Sequence, residues 1–321
     1  MSDATESKLR CEHGCAFAIV RGVARFVDPR TYADSFGLQW NEFEKTQLDS
    51  FTHTTISQDR LQRILGGALS GFHEKVVLEA GCGAGRFTEI MLANGAKVFA
   101  TDLSSAVEAN HRNCGHYSEY FVCQADLRKL PVAQESFDVV VCIGVVQHTP
   151  NPEETMSALC SYVKPGGVLL MDHYSSGYPS TPIRRVLRYF LLKAPSKTAL
   201  TFCRQLVRWL WPIHRLMWMI KKRFPRLRKI QSAFLFISPV VDYQDAYQEL
   251  GQDRLREWAI LDTHDTLTDR YKHIRSGQQI TEHLRRNGMS EVEIACSGNG
   301  VEVRAIKRDV AAACCGNATE S

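Results

Sequence analysis

No aspartate or glutamate occurs between Asp172 and Asp242, whereas fourteen of the 39 Lys and Arg residues fall in that stretch, from Arg184 to Lys229. The formal charge of +4 therefore conceals a basic segment set in an acidic remainder, where 25 basic residues face 35 acidic ones. An anionic partner would have to meet that segment. A long charge-free apolar run is also missing. The most apolar stretch, Leu206–Ile220, is interrupted by Arg208, Pro212 and Arg215, and an Arg near a bilayer centre costs about 2.5–3.5 kcal/mol, so a membrane-spanning helix is not expected. Met1–Arg10 is polar, with Asp3 and Glu6, and lacks the basic head and apolar core of a secretory leader. Internal repeats and low-complexity tracts are absent as well.

The 11 cysteines lack the regular spacing of a disulfide framework and sit mostly inside apolar runs such as Val139–Val146. A reducing compartment is expected, and with it a cytoplasmic location. Cys11 and Cys15, with His13 between them, offer three ligands at most where a closed zinc site needs four, so no metal is expected.

What is present is a chain of 321 residues, 44% hydrophobic, long enough for one large domain or two modest ones. Four regions are expected. Residues 1–72 form a lead-in, with a short β-like piece at Ala16–Val27 interrupted by Gly22, then a helical pattern carrying Phe36, Trp40 and Phe43. Residues 73–174 alternate short apolar runs with helical stretches, the pattern of strand–helix–strand units in a parallel sheet. Residues 175–246 are the basic part, expected as helices broken at Pro195, Pro212 and Pro225. Residues 247–321 return to the core pattern, with a helix at Gln278–Asn287, a hairpin from Glu291–Cys296 to Val301–Ile306 and a disordered tail after Asp309.

The most informative segment is Val76-Val77-Leu78-Glu79-Ala80-Gly81-Cys82-Gly83-Ala84-Gly85-Arg86-Phe87, a buried strand entering a glycine turn that leads to a helix. Glycines at such a turn let a ligand approach the backbone. The dinucleotide pattern would need a third glycine where Arg86 stands. About twenty residues on, a second strand ends at Asp102-Leu103, where a carboxylate can accept hydrogen bonds from both hydroxyls of a ribose, or else cap the next helix. Asp126-Leu127 follows a third strand; the acid can accept from an adenine amine with Leu127 over the ring, or simply form a turn.

Together with Phe137–Val140 leading to Gln147-His148-Thr149-Pro150, and Lys164-Pro165-Gly166-Gly167-Val168-Leu169, these residues resemble the successive motifs of class I S-adenosylmethionine-dependent methyltransferases, over about Lys75–Tyr174. The lead-in Gly22–Val27 and Tyr32–Trp40 resembles that of a bacterial biosynthetic subgroup, in which it can end a small zinc ribbon. The resemblance implies an α/β, doubly wound, Rossmann-like sheet of seven strands with one antiparallel strand in the last hairpin, carrying the basic helical insertion. It implies S-adenosylmethionine as cofactor, with Glu79, Gly81, Gly83 and Gly85 toward the methionine moiety and Ile143 and Gly144 lining the sulfonium side.

Methyl transfer is an in-line displacement, so the protein chiefly positions the acceptor and removes a proton from an oxygen or nitrogen nucleophile. His148 and His173, each after a strand, are candidates for the base, with ordinary loop and packing roles as the alternative. Leu261–Tyr271 resembles the acceptor-side loop of the subgroup and supplies Asp265 and Tyr271. The expected activity is methyl transfer to a small-molecule or lipid-linked acceptor, on oxygen; the alternative is a non-catalytic cofactor-binding adaptor. The basic insertion reads either as a lid over the sheet or as a helix lying on the inner membrane surface. Nucleic acid is disfavoured because no recognition motif accompanies the charge.

Overall fold

The computed structural model describes residues 7–28, 31–176, 181–298 and 300–309. Short runs rich in Val, Leu and Phe become ten strands: β1 Ser7–Arg10, β2 Ala16–Val20, β3 Val23–Arg25, β4 Val76–Ala80, β5 Lys97–Asp102, β6 Tyr120–Gln124, β7 Phe137–Cys142, β8 Val163–Tyr174, β9 Met289–Ser297 and β10 Gly300–Lys307. They form one sheet in the order β1-β2-β3-β6-β5-β4-β7-β8-β10-β9. The run from β3 to β8 is parallel, and β10 lies antiparallel between β8 and β9.

The seven strands expected from the sequence are β4 to β10, so the seven-strand count needs correcting to ten. The lead-in does not stay apart from the sheet. Gly22 splits its β-like piece into β2 and β3, and β3 pairs with β6 through Ala24 and Arg25 opposite Cys123 and Gln124. Phe26 N–H donates to the Gln124 carbonyl at 2.8 Å, and Arg25 holds Gln124 and Glu108 at 3.0 and 2.9 Å. This pairing covers β6, which would otherwise be an edge.

Side chains of successive strand residues point to opposite faces, and the core divides accordingly. Leu78, Ala80, Val140 and Cys142 pack on one side with the helices Pro152–Tyr162 and Gly277–Arg286. Val77, Val139 and Val141 pack on the other with Ile56–Leu65, Thr88–Ala93 and Val107–Cys114. Chain direction across the sheet reverses between β4 and β7, which opens a crevice at their carboxyl ends, where ligands bind in this architecture.

The basic part forms helices Pro182–Leu191, Ser196–Arg223 and Arg228–Ile237. Pro195 and Pro225 fall at element boundaries as expected, but Pro212 lies inside an unbroken helix. A mid-helix proline costs about 3 kcal/mol. Here Val207 before it and Trp211 beside it are both buried against Leu255, Trp258 and Ala259, and each such side chain recovers about 1.5–3 kcal/mol. The polar stretch from Leu261 also differs from the expected loop, since helix Gly251–Thr268 continues through it. Leu261 and Leu267 are buried, and the Thr268 hydroxyl donates within the helix to the His264 carbonyl. Among the described residues no helix is long and apolar enough to cross a membrane. The expected tail after Asp309 lies outside the described residues.

Candidate functional site

The turn after β4 is shaped by its glycines. Gly81 and Gly83 have φ of +86° and +50°, values in the left-handed region that side chains disfavour. Gly81 and Cys82 donate to the Thr101 carbonyl at 2.7 and 2.9 Å, pinning the turn to the end of β5. A Cβ on Gly83 would lie 3.4 Å from the Trp40 indole, so helix Asp34–Glu42 roofs the turn.

Asp102 closes β5. One carboxylate oxygen, Oδ2, accepts from Gly83 N–H at 3.1 Å; the other, Oδ1, accepts from the Ser104 amide and hydroxyl at 2.8 and 2.7 Å. Burial raises its pKa, and those three donors oppose the rise. The acid is thus held in place while Oδ2 retains capacity for a further donor.

Turn and acid line a cavity of 640 Å³ in the crevice. Of the residues singled out in the sequence, Gly81, Gly83, Asp102, Leu103, Leu127, Ile143, Gly144, His148 and Asp265 lie on its wall. Glu79, Gly85, Asp126 and His173 do not. Glu79 is buried beneath the turn, accepting from the Thr88 hydroxyl at 2.5 Å. Gly85 packs beside Cys114 and Asn110. Asp126 is forked by Arg128 at 2.6 Å and lines a second hollow, whose wall shares Tyr32 and Leu103 with the first. His173 is fully buried, its Nδ1 on the Tyr174 carbonyl at 2.8 Å.

Burial pushes the Glu79 carboxyl up to about 8, against the opposing Thr88 hydrogen bond. An acid whose folded pKa is raised contributes its full stability below the ordinary value near 4.5 and loses it as pH rises through about 8. Between those limits the fold weakens by about 1.4 kcal/mol per pH unit from this group alone. Glu79→Gln should flatten that component, so that thermal melts between pH 6 and 9 fall less steeply than for the wild type; parallel curves would contradict a neutral Glu79.

His148 Nδ1 lies 3.1 Å from the Tyr271 carbonyl and 3.2 Å from Asp269 Oδ2. Two acceptors at Nδ1 make it the N–H nitrogen and leave the lone pair on Nε2. Burial lowers the His148 pKa and so favours the neutral ring, against the opposing pull of Asp265. Buried Asp269 is also met by Lys272 at 3.1 Å and by Arg188. Asp265 Oδ1 is buried without a hydrogen-bond partner among the described residues.

Among the wall residues not assigned a role in the sequence are Asp262, Arg86 and Trp258. Asp262, one helical turn before Asp265, is pushed up to about 7 by burial, with a Tyr243 hydrogen bond opposing. Arg86 donates to Ser57 Oγ at 2.7 Å and Gln47 Oε1 at 3.0 Å and lies over the rings of Phe87 and Trp258. Burial lowers its pKa to about 10. The i, i+3 spacing of the two acids on a helix was the available signal; Trp258 and Arg86 come together only through tertiary packing.

Residues 78–171 match the methyltransferase domain family. Ubiquinone biosynthesis O-methyltransferases are similar over the same core: that of Acinetobacter baumannii is 37% identical over 107 residues, covering 32% of this chain and 43% of the relative. That of Coxiella burnetii is 32% identical over 101 residues, covering 30% and 43%. The chain thus spans less than half the length of these relatives. Among solved structures, the magnesium protoporphyrin IX methyltransferase of Synechocystis with bound SAH aligns with a TM-score of 0.45 and 14% identity, covering 86% of this chain and 96% of that one.

S-adenosylmethionine is the cofactor of this domain class, and the residues present fit it. The glycine turn leaves backbone open to the cavity, and an added Cβ at Gly144 would meet nothing within 4 Å. Asp102 offers an anionic acceptor at the strand end, and Leu103, Leu127 and Ile143 supply apolar wall for a nucleoside.

Proposed function

We propose, on the premise that residues 78–171 are a class I S-adenosylmethionine-dependent methyltransferase domain, that the chain transfers a methyl group to an oxygen of a small-molecule or lipid-linked acceptor. The observation that carries this reading is one cavity whose wall joins Asp102, Leu103, Gly81 and Ile143 with His148, Tyr174, Trp258, Asp262 and Asp265. The first group suits a nucleoside, and the second combines aromatic surface with proton acceptors, as a hydroxylated ring or chain requires. The O-methyltransferase names of the relatives favour oxygen.

When bound, S-adenosylmethionine supplies an electrophilic methyl group. The chain's own part is to orient and deprotonate. Asp102 and Leu103 hold the sugar end; Leu127 and Ile143 exclude water from the nucleoside; Glu79, beneath the turn, and Gly85, at its helix contact, support the glycine backbone. Asp126, paired with Arg128, bounds the adenine end. His148, neutral with its lone pair on Nε2, is placed to take the acceptor proton, and Asp265 or Asp262 to fix the acceptor hydroxyl. His173, away from the cavity, supports β8. In this reading residues 73–174 are the cofactor core and 175–246 the insertion, and the chain works in the cytoplasm with access to the inner membrane surface.

Screening extract fractions for acceptor-dependent conversion of labelled cofactor to SAH tests the activity and separates an enzyme from a cofactor-binding adaptor. On the acceptor so found, His148→Gln should lower kcat by about 10²–10⁴-fold while leaving SAH affinity intact, and His173→Gln should leave kcat nearly unchanged. An unaltered kcat in His148→Gln removes it as the base.

A further inference from the structure

Fifteen of the nineteen large apolar side chains that stand exposed among the described residues lie between Ile183 and Ile237. They are not scattered. Helix Pro182–Leu191 turns a base inward beside Leu191: Arg184 is only 8% exposed and donates to the Pro239 and Val240 carbonyls at 3.1 and 3.0 Å. Arg188 reaches the Thr266 carbonyl and buried Asp269. Val186, Tyr189 and Phe190 are meanwhile 59%, 62% and 64% exposed. Helix Arg228–Ile237 repeats the arrangement, burying Gln231 while Ile230, Phe236 and Ile237 face outward.

Helix Ser196–Arg223 carries three stripes. Cys203, Val207, Trp211 and His214 are buried toward the body of the protein. Phe202, Trp209, Ile213 and Leu216, at spacings of seven, four and three, form an exposed apolar stripe on the side away from that seam. Lys197, Arg204, Arg208, Arg215 and Lys222 share a third, exposed side of the same helix. In water, helices bury their apolar face and expose their polar one; two of three consecutive helices instead expose several large apolar side chains while burying Arg184 or Gln231, which calls for an apolar neighbour outside the fold.

We propose that this outer face is a docking surface for an anionic phospholipid bilayer, with the helices lying in the interfacial plane. Apolar side chains would enter the headgroup–acyl boundary, Trp209 and Tyr189 would sit at its edge, and the flanking bases would meet anionic headgroups. Each base near such a surface contributes about 1 kcal/mol. The charge of the segment favours this occupant over a second copy of the chain, because a symmetric contact would set the outward-facing bases of the segment against their own copies, with no acid between Asp172 and Asp242 to offset them. This inference does not depend on the chemistry proposed above, since its test reads binding and not turnover.

The test is cosedimentation of the full chain with vesicles of phosphatidylcholine alone or mixed with phosphatidylglycerol, at low and high salt. The chain should bind the mixed vesicles, more weakly as salt rises, and bind phosphatidylcholine at least tenfold less. Replacing Phe190, Trp209 and Phe236 together by Ser, at positions exposed enough to spare the fold, should reduce binding at least tenfold. Arg208→Gln with Arg215→Gln should reduce it several-fold and weaken the salt dependence. No binding to mixed vesicles at low salt overturns the proposal. So does unchanged binding by the triple Ser variant, or a stable dimer in light scattering that the triple variant dissolves without any vesicle binding by the wild type.

Discussion

Asp102→Asn should raise the dissociation constant for SAH by about two orders of magnitude or more. Hydrogen bonds to a charged acceptor are worth about 1.5–3 kcal/mol each, and in the proposed reading the strand-end carboxylate accepts from the two hydroxyls of a ribose. The substitution also places an amide NH₂ against either Gly83 N–H or the donors of Ser104, since each carboxylate oxygen already accepts within the fold. Some loss of stability, about 1–3 kcal/mol, should accompany the loss of affinity. Calorimetry with SAH and with 5′-methylthioadenosine, which keeps the ribose but lacks the amino-acid end, separates the two effects. Both ligands should lose affinity in equal proportion at a temperature where melts show the variant folded. A loss confined to SAH would mean that the acid does not hold the sugar.

Gly81→Ala should cost about 2–5 kcal/mol of stability and abolish cofactor binding. A Cβ at this position would stand 2.2 Å from Val145 Cγ2 and 2.9 Å from Cγ1, with φ at +86°. Overpacking of this kind costs about 1–3 kcal/mol, and the left-handed backbone adds about 1–2 kcal/mol for a residue with a side chain. The turn can relieve neither without releasing the two hydrogen bonds to the Thr101 carbonyl. Adding Val145→Ala removes the steric part but not the backbone part, so the double variant should recover roughly half of the lost stability. A single variant that melts and binds SAH like the wild type would rule out this turn geometry.

The part of the crevice proposed for the cofactor could be read from the sequence because each of its elements is local. A buried strand, a glycine turn and an acid at the next strand end follow one another within about twenty-five residues, and backbone geometry fixes their relation. The part proposed for the acceptor was harder to read. Asp262 and Arg86 acquire their surroundings from Gln47, Ser57, Tyr243 and Trp258, which are far apart in sequence. The stretch Leu261–Thr268 suggests a loop because its polar residues are close together, but Thr263, His264, Thr266 and Thr268 are buried inside a helix packed on several sides. Pro212 misleads for a related reason: local propensity argues for a break, and burial of Val207 and Trp211 outweighs it. In the basic segment the composition reveals charge and apolarity together, but not that Arg184 and Arg188 of helix Pro182–Leu191 turn inward.

The three-strand extension at the amino-terminal side of the sheet also bears on colloidal behaviour. It leaves β1 as the lateral border, four residues long and carrying Lys8 and Arg10, while the opposite border, β9, carries Glu291 and Glu293. Short or charged borders resist strand-on-strand addition by another molecule. Tyr120–Gln124, the strand that the extension covers, has no charged residue and exposes Phe121 by 46%. Stripped of its covering it would present an uncharged, apolar template, so these few residues guard the whole sheet against self-association into fibrils.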